Sequence, residues 1–146
     1  GDLMAIDYTY ESDNRIVRTE ARGIISARDI CNYVSEIIGR VDIASGFIEI
    51  VDIEKVEDFQ FKYSDTDALR SLWPKFVKKG CLYSIIHAPT DLSYGLMRML
   101  KTVLLMGDDT QGPGFEVVRT REEVIAGIKK ARTQQGASAD ADKPRR

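Results

Sequence analysis

Phe47-Ile48-Glu49-Ile50-Val51-Asp52-Ile53 is a short, mostly apolar run rich in Ile and Val, and Cys81-Leu82-Tyr83-Ser84-Ile85-Ile86-His87-Ala88 is a second. Such continuous apolarity suits strands covered on both faces, as in a parallel sheet. Between them a helix is expected from about Ser64. Asp65 and Asp67 stand in its first turn, Leu69, Leu72, Trp73 and Phe76 form its buried stripe, and Lys75, Lys78 and Lys79 complement the negative end of its dipole. Pro74 lies inside this pattern and predicts a kink or a fresh turn. Strand, helix, strand in this order favours a right-handed crossover. The stretches ending at Ile53 and Ala88 are therefore expected to run side by side, in one direction, beneath a layer of helices.

Working outward toward the first residue, Ser26-Ala27-Arg28-Asp29 is an N-cap pattern. Ile30, Tyr33, Val34, Ile37 and Ile38 behind it make one apolar helix stripe, and Gly39 is expected to stop the helix in a left-handed conformation. Met4–Tyr10 and Arg15–Ala21 alternate and are rich in aromatic or β-branched residues. With Glu11-Ser12-Asp13-Asn14 between them they read as a hairpin, closed by Gly23.

Toward the other end, Pro89 stops the second strand and Thr90 can cap a helix running to about Met106, with Leu92, Leu96, Met99, Leu100 and Val103 as its core face. Tyr94, Met97, Arg98 and Leu105 form a second, partly apolar stripe, and Gly95 would let another backbone come close. Gly107–Gly114 is turn chemistry. Phe115–Arg119 reads as a last short strand, and Thr120-Arg121-Glu122-Glu123 as a capping box before a helix whose stripe is Val124, Ile125, Ile128 and Ala131. Residues 133–146 hold no large apolar side chain and read as a flexible tail. The order is β-β-α-β-α-β-α-β-α: an α/β single domain over residues 1–132, with a four- to five-stranded, mostly parallel sheet and one antiparallel hairpin strand.

The 146 residues carry 21 basic and 23 acidic side chains, a net charge of −2, which argues against a general nucleic-acid binder because such a protein needs a basic face. No apolar run approaches the ~20 residues of a membrane span, and Gly1–Tyr10 has no signal-peptide pattern. Cys31 and Cys81 form no metal or redox spacing, so reduced thiols in a cytoplasmic protein are expected. Rossmann, Walker, zinc and nucleophile-elbow patterns are absent, and neither cofactor nor metal is expected.

The string Ala88-Pro89-Thr90-Asp91-Leu92-Ser93-Tyr94-Gly95-Leu96-Met97-Arg98-Met99 is similar to a segment of small bacterial proteins of the SpoIIAA-like group, which resemble the STAS domains of anti-sigma-factor antagonists and sulphate transporters. Val51-Asp52, Phe115–Arg119 and Glu122-Glu123-Val124 agree with it. The resemblance spans roughly Met4 to Arg132 and is most specific in the Asp-Leu-x-Tyr-Gly-Leu-x-Arg-Met run. It implies a sheet of four or five strands with helices mainly on one side. In STAS-type antagonists the regulatory serine follows an Asp and opens the helix after the middle strand. Ser64 is the nearest match here, but its Asp65 follows it.

Each candidate residue has a structural reading beside the functional one. Ser64 is a phosphorylation candidate or a plain N-cap; a phosphate there would meet Asp65 and Asp67 at close range. Asp52 ends a buried strand where parallel sheets place ligands, or it caps a turn. His87, the only histidine, is an acid/base candidate or a satisfied structural imidazole. Thr90, Asp91, Tyr94 and Arg98 stand where helix amides can bind an anion, or on a core helix that also packs against a partner. Phe59-Gln60-Phe61-Lys62-Tyr63 alternates aromatic and polar residues and could be a lid, an edge strand or a cover for the core.

The leading expectation is a non-catalytic, STAS-like regulatory or interaction module working by protein–protein contact, through a protein partner or as a homodimer. The alternative is a protein binding a small anionic or acyl ligand at the C-terminal ends of the parallel strands, with Asp52, His87, Thr90, Asp91, Tyr94 and Arg98 around it. An enzyme would have to pair His87 with Asp52 or Asp91, and it has the least support.

Overall fold

Residues 5–62, 64–105 and 114–141 are described by a computed structural model, without the side chains of 103–105 and 137–141. Five strands form one sheet in chain order: β1 (Ile6–Glu11), β2 (Ile16–Ser26), β3 (Phe47–Gln60), β4 (Cys81–His87) and β5 (Gly114–Val118). The β1–β2 hairpin is antiparallel and every other pair is parallel. Ile50 lies opposite Ile85 and Asp52 opposite His87, so the two deciding stretches do run side by side in one direction. Of the turn expected over Gly107–Gly114, Gly114 opens β5, and the remainder, like Tyr63, lies outside the described residues.

Each parallel step along the sheet is made through one helix: α1 (Ala27–Gly39), α2 (Asp65–Lys79) and α3 (Asp91–Leu105). Three crossovers of one hand, stepping the same way, place their helices on one face. Phe47 and Ile53 point to that face, where Tyr33, Ile37, Leu69, Phe76, Met97 and Leu100 complete the core. Ile48 and Ile50 alternate to the other face. There Ile16, Tyr83, Ile85 and Val118 are covered by Val124, Ile128 and Ala131 of α4 (Arg121–Ala141). Both sides of β3 and β4 are thus buried, which is why neither shows the apolar–polar alternation of a half-exposed strand.

The local signals at the helix starts hold. Ser26 Oγ accepts from the Asp29 amide and Asp29 Oδ2 from the Ser26 amide, a reciprocal box. Thr90 Oγ1 accepts from the Ser93 amide, and Thr120 Oγ1 from that of Glu123. α2 passes through Pro74 as one helix.

Several expectations change. Gly23 does not close β2: at φ +71° it forms a bulge, and the strand runs on to Ser26. β3 likewise continues through the charged run Glu54–Asp58 to Gln60, paired with β2 out to Ser26–Gln60. Phe59 and Gln60 therefore belong to a strand and not to a lid. Beyond His87, β4 no longer flanks this ribbon, so its side chains reach water and charge is tolerated. Gly39 is not left-handed, and α1 ends at an extended Arg40. α4 extends past Thr133, where the sequence suggests a tail; Gln135 is buried and donates to the carbonyls of Asn14 and Gly46.

Gly80 joins α2 to β4 at φ +110°, and a Cβ there would stand 2.7 Å from the Cα of Ser45. Its carbonyl also accepts from the Gly46 amide. Backbone strain and backbone contact coincide, so Gly80→Ala is expected to cost about 2–4 kcal/mol in urea unfolding. A loss under half a kcal/mol would contradict this account of the junction.

Candidate functional site

The candidates from the strand ends divide between the two faces of the sheet. Tyr83 and Ile85 face α4 and His87 continues their alternation, as Asp52 continues that of Ile48 and Ile50. His87 Nδ1 stands 3.2 Å from Asp52 Oδ1, with the imidazole nearly buried and the carboxylate 41% exposed. The same carboxylate oxygen accepts from the Glu54 amide at 2.9 Å, the bond of an Asx turn. Asp52, Glu54 and His87 each bring one donor atom within 4.8 Å of the others. Two carboxylates and an imidazole are a donor set that a divalent transition metal accepts. Glu54 is exposed, however, and the Asp52 oxygen is already committed to two partners.

Thr90, Asp91, Tyr94 and Arg98 belong to the first turns of α3, which packs on the opposite face of the sheet from Asp52 and His87; the clefts that Thr90 and Arg98 line include neither of those two. Asp91 Oδ1 accepts from Arg119 Nη2 at 2.5 Å, and Arg119 also donates to the Pro89 carbonyl. The Arg119 guanidinium lies 5.3 Å from the centre of the Tyr94 ring, and Arg98 lies 5.9 Å from it. An anion arriving at these helix amides would meet Asp91 already there.

Ser64 is exposed at the foot of α2, and its side chain makes no capping bond. Ser64 holds the N-cap position without the expected side-chain bond, and Asp65 Oδ2 turns back to accept from the Lys62 amide, ahead of the helix.

Two features were not legible as sites. The first is the outer face of α3. Leu92, Leu96 and Met99 recur at helical spacing, but the side turned inward is Ser93, Met97 and Leu100. Leu92 is 59% exposed and Met99 58%. The helix carries two apolar stripes, and packing buried one residue of each, Leu100 of the first and Met97 of the second, leaving Leu92 and Met99 outside.

The second is Glu49, hidden in a strand of Ile and Val. Its carboxylate is buried beneath α1 and accepts from Tyr33 Oη at 2.5 Å and from Ser84 Oγ; Tyr33 in turn meets Thr19 Oγ1 at 2.6 Å. Burial raises the Glu49 pKa above its ordinary value, and the two hydrogen bonds only partly offset this. Burial first, then the neighbouring carboxylate, holds the Tyr33 phenol well above its own. An acid flanked by apolar residues on both sides was the available signal.

Comparison with solved structures settles the architecture. An uncharacterised protein of the DUF3478 family from Shewanella loihica PV-4, described as SpoIIAA-like in fold, superposes with a TM-score of 0.54 over 88% of this chain and 97% of its own. The fold is SpoIIAA-like. At 10% identity that match concerns architecture alone. The unphosphorylated anti-sigma factor antagonist SpoIIAA matches at 14% identity and TM-score 0.49, covering 86% of this chain and 98% of its own. The phosphorylated Bacillus cell fate determinant SpoIIAA matches at 15% and 0.46, covering 84% and 97%. No protein-family model matches the sequence, and neither does any curated protein. On this SpoIIAA-like frame Ser64 opens the helix after the middle strand, and no helix among the described residues is long and apolar enough to cross a membrane.

Glu49 makes stability depend on pH in a definite sense. An acid whose folded pKa is raised favours the folded state below its unfolded pKa, and that advantage is lost as pH rises through the window up to the folded pKa. Glu49→Gln does not titrate. Its stability relative to the parent chain is therefore expected to climb from about pH 4.5 upward, by up to ~1.4 kcal/mol per unit, and then level off. Denaturant titrations of both proteins from pH 4 to 8 measure this, and a flat difference would contradict the burial of an ionisable Glu49.

Proposed function

We propose that this chain is a non-catalytic interaction module that acts by protein–protein contact through the outer face of α3, with a second copy as its occupant. The observation that carries this reading is the outward pair Leu92 and Met99, one face of α3, with half-buried Leu96 between them. Long apolar side chains clustered on one helix face, without cover from the rest of the fold, are the signature of a contact surface.

Two further features favour a second copy. A Cβ built on Gly95, beside the stripe, meets nothing within 4 Å, so another helix can approach its backbone there. Asp91 and Arg98 lie on one flank of α3, two turns apart. In an antiparallel pair of α3 helices related by a two-fold axis near Gly95, each Asp91 stands beside the other copy's Arg98, the self-complementary pattern that a two-fold interface requires. The regulatory role belongs to this reading through the SpoIIAA-like architecture, which is an argument from analogy. Free Cys31 and Cys81 fit a reducing cytoplasm.

Sedimentation equilibrium across concentration tests it. A dimer is expected, weakened by at least about tenfold in Leu92→Glu/Met99→Glu. Gly95→Ala separates the roles: it is expected to stabilise the monomer by about 0.5–1 kcal/mol through helix propensity, yet to weaken association. A monomer at every concentration, or a dimer indifferent to all three substitutions, would refute this interface.

A further inference from the structure

Beneath α1, α2 and α3 the core is not filled. A cavity of about 110 Å³ lies between the sheet and this helix layer, walled by Val51 and Ile86 below and by Leu69, Leu72, Met97 and Leu100 above. Native interiors are packed as tightly as organic crystals, and voids larger than a water molecule are few. For scale, an apolar cavity of about 150 Å³ takes up benzene. The size here suits one ring.

One end of the wall is polar. Thr19, Tyr33 and Glu49 all line the cavity, and each is more than nine-tenths buried. Their protons can be counted. Tyr33 donates to Glu49, so its bond with Thr19 must be donated by Thr19, and Ser84 gives its proton to the other Glu49 oxygen. All three hydroxyl protons are then spent. What remains is acceptor capacity: further lone pairs on the carboxylate and on Thr19 Oγ1. Among the described residues no cation bonds to Glu49, and a third donor would relieve its desolvation. Trp73 and Phe115 are partly exposed members of the same wall and give a ligand its way in.

We propose that this cavity binds a small uncharged molecule of one ring, its apolar body against Leu69, Met97 and Leu100 and a single hydroxyl or N–H donated to the Thr19–Tyr33–Glu49 end. A carbonyl compound, which can only accept, finds no free proton here while Glu49 is ionised. A carboxylate is excluded by repulsion from Glu49. The site lies inside the domain, opening beside Trp73 and Phe115, and is independent of the α3 contact face.

Benzene and phenol are the test probes, since they differ by the one hydroxyl. Each is titrated into the full chain carrying 13C-labelled methyl groups. Nuclear Overhauser contacts from both probes to the Met97 and Leu100 methyls are expected, with phenol bound about tenfold more tightly than benzene. Leu100→Phe, which fills the space, should abolish both. Tyr33→Phe, which releases a Glu49 oxygen, should widen the preference for phenol. Should Leu100→Phe fail to fold, the contacts in the parent chain decide. Absence of contacts from either probe overturns the site, and equal affinity for the two overturns the role of its polar end.

Discussion

A carboxylate at the centre of a β-sheet covered on both faces has no water to turn to. Glu49 occupies that position, and the surrounding packing is constrained by the need to satisfy it. Its partners come from different parts of the chain: Tyr33 from α1, Ser84 from β4 and, through Tyr33, Thr19 from β2. An apolar residue in its place would be indifferent to which rotamer or helix rotation lay above it. A carboxylate is not, because a buried polar atom left without a partner is expensive. The network therefore fixes α1 in rotation over three strands at once, a specification that hydrophobic packing supplies only loosely.

The two sides of the sheet are held differently. On the face of α1–α3 the core is mixed, with aromatic contacts such as Phe47–Phe76 beside the polar network and an unfilled volume. On the face of α4 it is Ile, Val, Ala and one tyrosine, closed by a single helix. The α4 side braces the sheet, and the α1–α3 side holds the unfilled volume. α3 belongs to the latter side, and its outer surface carries Leu92 and Met99.

Much of this architecture could be read from residues. The runs at Phe47–Ile53 and Cys81–Ala88 announced adjacent parallel strands because double-sided burial leaves short, continuous apolar stretches rich in β-branched residues. Ser26, Thr90 and Thr120 announced helix starts because capping is local chemistry. Three things were less legible, each because it depends on partners distant in sequence. The extension of β3 to Gln60 looks like a loop until β2 is seen to accompany it. The rotation of α3 could not be chosen between two stripes of similar strength. His87 had either Asp52 or Asp91 as a possible neighbour, and the face of the sheet that it shares with Asp52 follows only from register. Ser64 does stand at the N-cap position its sequence suggested, but its hydroxyl makes no bond to the helix amides.

The clasp between α4 and the opposite end of the chain has a consequence for biosynthesis. Gln135 reaches carbonyls at Asn14 and Gly46, and α4 is the only described element that covers Ile16, Ile48, Ile50 and Ile85. While a nascent chain is still short of α4, the strands emerging from the ribosome present a bare isoleucine surface with nothing to shield it. Completion of the domain must then wait until α4 itself has cleared the exit tunnel, and during that interval a chaperone has something definite to hold.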